Sequence, residues 1–281
     1  MPDAFLDSSV LIGLHFRHAG ERAACKHCLP QGAGQVSSRY VIFEIARGFL
    51  RSLILLHNAS FEYARFSDLH MAAYSGQRRF RHYEMHTWLG AMTDFQALLE
   101  QEIGPFEESQ KLELLRAKLR VIVQRGWRKL QKSCRVINEV SCRRDLPEPS
   151  LNGGGRLVQA LPVSECGKPN ACGLQHYIEQ HHSTVEVLAA HLESLPVSSR
   201  GNDTGKHITG LRHLLESPVG REFNGRMCHQ CGDAIICMEA PQGHVIATKN
   251  RRDFQPIADH LGKPWVVAIT AATTESQHPP A

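Results

Sequence analysis

Both ends of this chain alternate short predicted strands with helices, and this repeated alternation is the feature that most constrains the fold. The first part predicts strand, helix, strand and helix over Ala4–Leu6, Ser9–Cys28, Gln35–Ser38 and Tyr40–His57. The last part predicts helix, strand, helix and strand over Asp233–Glu239, His244–Thr248, Phe254–Leu261 and Trp265–Ile269. Such alternation is typical of α/β proteins. We therefore expect the two ends to belong to one α/β fold.

The middle of the chain follows a different pattern and is interpreted as an insertion. Residues 58–206 contain long helical patterns followed by a Gly/Pro-rich stretch from Leu146 to Arg156, which is typical of loops. The insertion divides the α/β core into an N-terminal part, residues 1–57, and a C-terminal part with a polar tail, residues 207–281. A chain of 281 residues is long enough for one elaborated domain or two small ones.

Positive charge is concentrated on one predicted helix of the insertion. Apolar residues recur at helical spacing between Leu112 and Leu130, and this stripe is interpreted as core. Basic residues occupy the other positions and continue beyond them: Lys111, Arg116, Lys118, Arg120, Arg125, Arg128, Lys129, Lys132, Arg135, Arg143 and Arg144. They form either a solvated helix face or a nucleic-acid surface that makes phosphate contacts through Lys118, Arg125 and Lys129. The net charge of +4 is too small to identify nucleic acid as the partner.

Four carboxylates near predicted element ends are candidates for a metal site. They belong to Asp7, Glu44, Asp233 and Asp253. Hard divalent cations that activate water against a phosphodiester prefer oxygen ligands, so such a site needs several acids from distant segments. Each acid also has a structural interpretation, as a helix cap or, for Glu44, as an ion-pair partner of Arg47. Position alone does not separate these interpretations.

The order and flanks of these acids resemble the PIN-domain family of nucleases. The resemblance covers roughly residues 3–57 and 207–270 and rests on four short motifs. These are Leu6–Ile12 around Asp7, Glu44 with the following Ile45–Gly48, Asp233–Ile236 at a helix start, and Thr248–Phe254 around Asp253. The chain departs from the family in its greater length and in Cys237–Glu239, where the family commonly has small residues.

The resemblance implies a PIN-like fold, with a parallel central sheet flanked by helices and a large, mainly helical insertion. It implies a metal-dependent endoribonuclease in which one or two Mg²⁺ or Mn²⁺ ions are held by the catalytic acids Asp7, Glu44, Asp233 and Asp253. Family members place the last acid at either of two positions, and we favour Asp253 with Asn250 nearby. The resemblance further implies RNA rather than DNA as substrate, a toxin-type enzyme, a protein inhibitor and a homodimer.

Nine cysteines form two C-x2-C pairs, a looser pair and three single positions. We expect the protein in the reducing cytoplasm, where an odd number of cysteines argues against a disulfide framework. Two of the pairs supply the four ligands of a structural zinc site, Cys166, Cys172, Cys228 and Cys231. The alternative is burial as small apolar residues, which we favour for Cys237 and consider for Cys25 and Cys28.

The chain is expected to be a cytoplasmic protein with no membrane contact. Its first residues lack the basic and apolar regions of a signal peptide, and no window reaches the length of a membrane span. The alternative function is a noncatalytic nucleic-acid-binding protein, in which the carboxylates are caps and the basic helix acts with a zinc module. Asp7→Asn and Asp233→Asn distinguish the two, because only the nuclease loses an activity through them.

Overall fold

A computed structural model describes residues 2–75, 82–101, 105–140, 146–159, 173–201, 203–216, 228 and 230–268. The chain contains two compact units. Unit 1 comprises Met1–Glu44, Lys132–Asp145 and Pro162–Ala281, and unit 2 comprises Ile45–Gln131 and Leu146–Leu161. The α-helices of the described residues are, in chain order, α1 (Ser8–Phe16), α2 (Ala19–His27), α3 (Arg39–Ile45), α4 (Arg51–Ala59), α5 (Phe66–Tyr74), α6 (His82–Leu99), α7 (Glu108–Ser133), α8 (Gly173–Gln180), α9 (His182–Ser194), α10 (Thr204–Glu216), α11 (Gly232–Glu239) and α12 (Arg251–His260).

Unit 1 is built on a five-stranded sheet in which every pair of neighbouring strands is parallel. Its strands are β1 (Ala4–Leu6), β2 (Gln35–Ser38), β3 (Arg135–Ile137), β4 (Val245–Thr248) and β5 (Trp265–Val267). All three residues of β1 are fully buried, as expected for a central strand covered on both faces. The predicted α/β fold with a parallel sheet is therefore confirmed.

The strand order of this sheet indicates where a ligand is expected to bind. The order is β3-β2-β1-β4-β5, so the chain leaves β1 toward β2 on one side, and β4 lies on the other side. In open parallel sheets, ligands bind beyond the carboxyl ends of the strands at the point where the strand order reverses. Here that point lies between the ends of β1 at Leu6 and β4 at Thr248.

Unit 2 contains α4, α5, α6 and most of α7, with a short antiparallel ribbon of Ser150–Leu151 and Leu157–Val158. The apolar stripe predicted for α7 is buried at six positions, Leu112, Leu115, Leu119, Val123, Trp127 and Leu130. Arg116 of this helix donates to the backbone oxygen of Ser60 at 2.7 Å. The Asn58 side chain pairs with both backbone polar groups of Leu157, which attaches the ribbon to α4.

Two predicted helices are interrupted in the structure. The segment predicted as one helix from Ser9 to Cys28 consists of α1 and α2, because the backbone is extended at Arg17 and His18 caps a new helix through a hydrogen bond from the Glu21 backbone. The helix predicted from Tyr40 to His57 consists of α3, a π-helical turn at Ala46–Leu50 and α4. A π-helical turn shifts the hydrogen-bond ladder by one residue.

The compact units have other bounds than the three segments predicted from sequence, 1–57, 58–206 and 207–281. Residues from Pro162 onward belong to unit 1, although the sequence pattern predicted that residues up to 206 belong to the insertion. The reason is packing, since α9 contacts α12 and α10 contacts α11. Among the described helices, none combines the length and apolar content that crossing a membrane requires.

Candidate active site at the carboxyl edge of the sheet

Asp7 lies at the point where β1 ends and α1 begins. Its Oδ1 atom accepts a hydrogen bond from the backbone N of Val10 at 2.9 Å, so the capping interpretation of Asp7 is confirmed. The Ser9 hydroxyl donates to Oδ1 at 2.7 Å. The hydroxyl of Thr248, at the end of β4, donates to Oδ2 at 2.6 Å. Asp7 therefore caps a helix and also joins the two strands between which the strand order reverses.

The Asp7 carboxyl group is almost completely buried, with an exposed fraction of 2%. Burial raises the pKa of Asp7 to about 6, against the lowering effect of its hydrogen bonds from Thr248, Val10 and Ser9. The negative charge of Asp233 adds to the increase. A helix cap alone does not require such burial. Groups that bind cations or exchange protons, in contrast, are often buried and have shifted pKa values.

Asp233 is the second acid at this edge of the sheet. It lies in the first turn of α11, where the helix dipole favours negative charge. The side-chain amide of Asn250, which follows β4, donates to Oδ2 of Asp233 at 3.2 Å. Asn250 in turn donates through its backbone N to the Thr248 hydroxyl at 2.9 Å. One chain of hydrogen bonds thus connects Asp7 with Asp233.

The Glu44 carboxylate packs against the same helix start. A Cβ atom at position 232 would lie 3.0 Å from Oε1 of Glu44 and 3.8 Å from the Tyr40 hydroxyl. Because a 3.0 Å approach is closer than ordinary carbon–oxygen contacts, only glycine leaves full room for this carboxylate. Gly232 directly precedes Asp233, so the Glu44 carboxylate packs against the turn of α11 that carries Asp233.

Asp253 has a different environment. It lies in the first turn of α12 and is 4% exposed. Its Oδ1 accepts a hydrogen bond from the backbone N of Asp203 at 2.9 Å, just before α10 begins. Asp253 therefore holds the start of α10, and the contact with Asp233 is made by Asn250. The charge of Asp253 is also among the causes that raise the pKa of His207, and its role as the fourth metal ligand stays a prediction.

Gly201→Ala is expected to destabilise the protein through this contact. The added Cβ would collide with Oδ1 of Asp253 and would lie 2.7 Å from the backbone oxygen of Arg252. Since backbone cannot rotate away as a side chain can, we expect a loss of about 1–3 kcal/mol in the free energy of unfolding. Urea denaturation measures it, with Gly205→Ala as the control because no atom lies within 4 Å of a Cβ there. Equal stability of both variants would contradict the contact.

His207 belongs to this region and was missed by the sequence reasoning. It lies on the buried face of α10 with Thr204, Gly210, Leu211 and Leu214. Its Nδ1 atom is 2.7 Å from the backbone oxygen of Gln230, and its Nε2 atom is 3.4 Å from Oδ2 of Asp233. Burial lowers the pKa of His207, but the Asp233 carboxylate outweighs this effect and leaves the pKa raised. A histidine within an apolar helical stripe was the only signal in the sequence.

The cysteine prediction falls partly on residues that the structure leaves undescribed. Cys166 and Cys172 lie outside the described residues, so the four-ligand zinc site stays a prediction. Cys228 and Cys231 are buried, and burial raises the pKa of the Cys231 thiol. Cys237 and Cys25 are also fully buried, in agreement with their interpretation as small apolar residues, whereas Cys28 is half-buried.

The donor chemistry of the acidic region suits a divalent cation. Asp7, Glu44 and Asp233 offer carboxylate oxygens, and the buried Nε2 of His207 has no hydrogen-bond partner among the described residues. Oxygen donors suit Mg²⁺ and Mn²⁺, and imidazole nitrogen suits transition metals. Within the same described part of the chain, no three His, Cys, Asp or Glu side chains are already arranged as a metal-binding group. Among these donors, Nε2 of His207 lies 3.4 Å from Oδ2 of Asp233.

The predicted phosphate-contacting residues lie on α7 in unit 2. Arg125 and Lys129 are exposed, and Lys118 is half-buried. Two other basic residues of this helix have acidic partners, since Lys111 pairs with Glu108 and Arg128 pairs with Glu148. For Lys118, Arg125 and Lys129, no ion pair is found within the described residues. Arg143 and Arg144 lie outside the described part of the chain.

Comparison of the chain with protein-family models, with curated proteins and with solved structures gives no match.

Proposed function

We propose that this protein is a metal-dependent nuclease of PIN type that hydrolyses phosphodiester bonds of RNA. The observation that carries the proposal is the buried Asp7 carboxylate at the reversal of strand order, with Asp233 close enough to affect its pKa. Glu44, at the helix start that carries Asp233, adds a third acid from a distant segment. The resemblance of the four motifs to the PIN family supplies the reaction class and the preference for RNA.

The residues of the chain have distinct roles in this proposal. A bound Mg²⁺ or Mn²⁺ supplies Lewis acidity toward the phosphate and makes water more acidic. Asp7, Glu44 and Asp233 would hold the ion, and Ser9, Thr248 and Asn250 orient two of these carboxylates through the hydrogen bonds described above. Asp253 acts as a positioning residue, because it fixes the start of α10.

The proposal extends to partners and compartment. The family resemblance supports a cytoplasmic toxin-type enzyme that is held inactive by a protein inhibitor and forms a homodimer. DNA is the less favoured substrate. The exposed basic residues of α7 offer a surface of suitable charge for RNA phosphates.

The test of the proposed function is a cleavage assay on mixed labelled single-stranded RNA and DNA. Purified protein is incubated with Mn²⁺, Mg²⁺ or EDTA, and products are separated by size. We expect internal cleavage of RNA that requires a divalent ion and stops with EDTA. Cleavage in EDTA would exclude the metal mechanism. Preferential cleavage of DNA would show that DNA, not RNA, is the substrate.

The second candidate function is noncatalytic nucleic-acid binding. The observation in its favour is the exposure of Arg125 and Lys129 without acidic partners in the described part of the chain. In that account, the carboxylates serve only as caps, as Asp7 does for α1. Loss of cleavage in Asp7→Asn with unchanged RNA binding would exclude this second function.

Reversing the charge of Lys118, Arg125 and Lys129 to Glu is expected to weaken RNA binding and to reduce its salt dependence. Each phosphate contact contributes about 0.7 to the slope of log affinity against log salt for a single strand, so three lost contacts reduce the slope by about 2. Fluorescence anisotropy over a range of salt concentrations measures both effects. Control variants reverse Lys111 and Arg128, which already have acidic partners. Equal slopes for the two sets would indicate a solvated face.

A further inference from the structure

His207 is held in a fixed orientation beside the acidic residues. Its ring is buried, with an exposed fraction of 4%. Its Nδ1 atom lies 2.7 Å from the backbone oxygen of Gln230. Because a carbonyl oxygen only accepts hydrogen bonds, Nδ1 must carry the proton of this contact. The remaining ring nitrogen, Nε2, is therefore the atom left for another interaction.

Nε2 points toward the Asp233 carboxylate at ion-pair distance. The two atoms Nε2 and Oδ2 are 3.4 Å apart, and Nε2 is a buried atom that has no hydrogen-bond partner among the described residues. A buried polar atom without a partner is costly. Either a proton or a metal ion between Nε2 and the carboxylate removes this cost, because both groups then face a positive charge.

The arrangement of His207 matches that of histidines that bind metals. Such histidines commonly donate the hydrogen of one ring nitrogen to a backbone carbonyl, which fixes the tautomer and directs the other nitrogen at the ion. Here the carbonyl of Gln230 has that role, and Gln230 lies three residues before Asp233. The segment that supplies the carboxylate therefore also orients the imidazole.

We propose that Nε2 of His207 is a metal ligand shared with Asp233, so that the centre contains nitrogen and prefers Mn²⁺ to Mg²⁺. This inference rests on the proposed metal-dependent function and adds a ligand that the acidic motifs do not include. Mg²⁺ is bound almost entirely through oxygen, whereas imidazole suits transition metals. Loss of the imidazole must therefore affect Mn²⁺ binding more than Mg²⁺ binding.

The test is isothermal titration of the full-length protein with Mn²⁺ and with Mg²⁺, in the absence of RNA. Wild type is compared with His207→Gln, and with His213→Gln as the control, because His213 lies on the same helix but is exposed. We expect His207→Gln to lose about 10-fold or more in Mn²⁺ affinity, with a clearly smaller loss for Mg²⁺. His213→Gln should match wild type.

The outcomes separate this inference from the proposed function. If His207→Gln binds Mn²⁺ as wild type does while Asp233→Asn does not, the role of His207 is excluded and the metal-dependent function stands. If wild type binds neither ion, both proposals fail. Circular dichroism checks that His207→Gln is folded. If it is not, pulsed electron paramagnetic resonance of Mn²⁺ on the wild type decides, since a spectrum without imidazole nitrogen coupling overturns the inference.

Discussion

Asp7→Asn and Asp233→Asn are each expected to reduce metal-dependent RNA cleavage by at least about 100-fold. Both substitutions keep the size of the side chain and remove the negative charge that would hold the cation. Asp7 is buried beside the end of β4, and Asp233 contacts Asn250 from the start of α11. Initial rates of cleavage with excess Mn²⁺ measure the loss, and circular dichroism verifies that the fold is retained.

A matched control and a double variant make this prediction more specific. Asp68→Asn, at an exposed position of α5, should cleave at the wild-type rate. Groups that act as one unit are not additive, so the Asp7→Asn/Asp233→Asn double variant should be little slower than either single variant. Wild-type cleavage by both single variants would show that the two carboxylates have structural roles only.

The second large effect is an increase in stability when Asp7 is replaced by Asn. Burial raises the pKa of Asp7 from 3.8 to about 6, which corresponds to roughly 3 kcal/mol at about 1.4 kcal/mol per tenfold change in proton affinity. Because the folded protein binds this proton more tightly than the unfolded chain does, Asp7 favours folding at low pH. That contribution is lost as the pH rises through about 6, where the buried group becomes charged.

Asp7→Asn is therefore expected to match wild type near pH 4 and to exceed its free energy of unfolding by roughly 3 kcal/mol near pH 7.5. Urea denaturation in EDTA at several pH values measures the difference. Glu239 is also buried, with a pKa raised to about 7 by that burial, but it titrates in both proteins and cancels in the comparison. A variant that is less stable than wild type near pH 7.5 would contradict the cost assigned to the buried charge.

If both predictions hold, the negative charge of Asp7 lowers the free energy of unfolding and is needed for metal-dependent cleavage. A helix cap alone would make Asp7→Asn neutral or mildly destabilising, since capping contributes about 1 kcal/mol. A cation bound by the Asp7 carboxylate would reduce the cost of its charge. Stability of wild type should then increase with Mn²⁺ by mass action, and that of Asp7→Asn should increase much less.

The sequence was sufficient where a strand is short, apolar and followed by a helix. Ala4–Leu6 has the predicted bounds, because burial on both faces produces an apolar pattern. Gln35–Ser38 also has the predicted bounds, although only Val36 in this strand is apolar. β3 was missed, since Arg135 and Val136 are exposed and follow directly after the long helix α7. The antiparallel ribbon that contains Leu151 was also missed, because the glycine-rich segment around it is typical of loops.

The candidate site was predictable to the extent that it depends on motifs. Asp7, Glu44 and Asp233 were identified from their flanking residues, and the structure brings them to the carboxyl edge of the sheet and the start of α11. The roles of Asp253 and His207 depend on contacts with residues distant in sequence, namely Asp203 and Gln230. Hydrogen bonds of this kind leave no periodic pattern in a sequence.

The measurement that tests the account most directly is the rate of single-stranded RNA cleavage by wild type and Asp7→Asn, measured side by side in Mn²⁺ and in EDTA. We expect rapid internal cleavage by wild type in Mn²⁺ and none in EDTA, with cleavage by Asp7→Asn in Mn²⁺ slower by at least about 100-fold. Absence of cleavage by wild type, together with equal and salt-sensitive RNA binding by both proteins, would contradict the account and would indicate a nucleic-acid-binding protein.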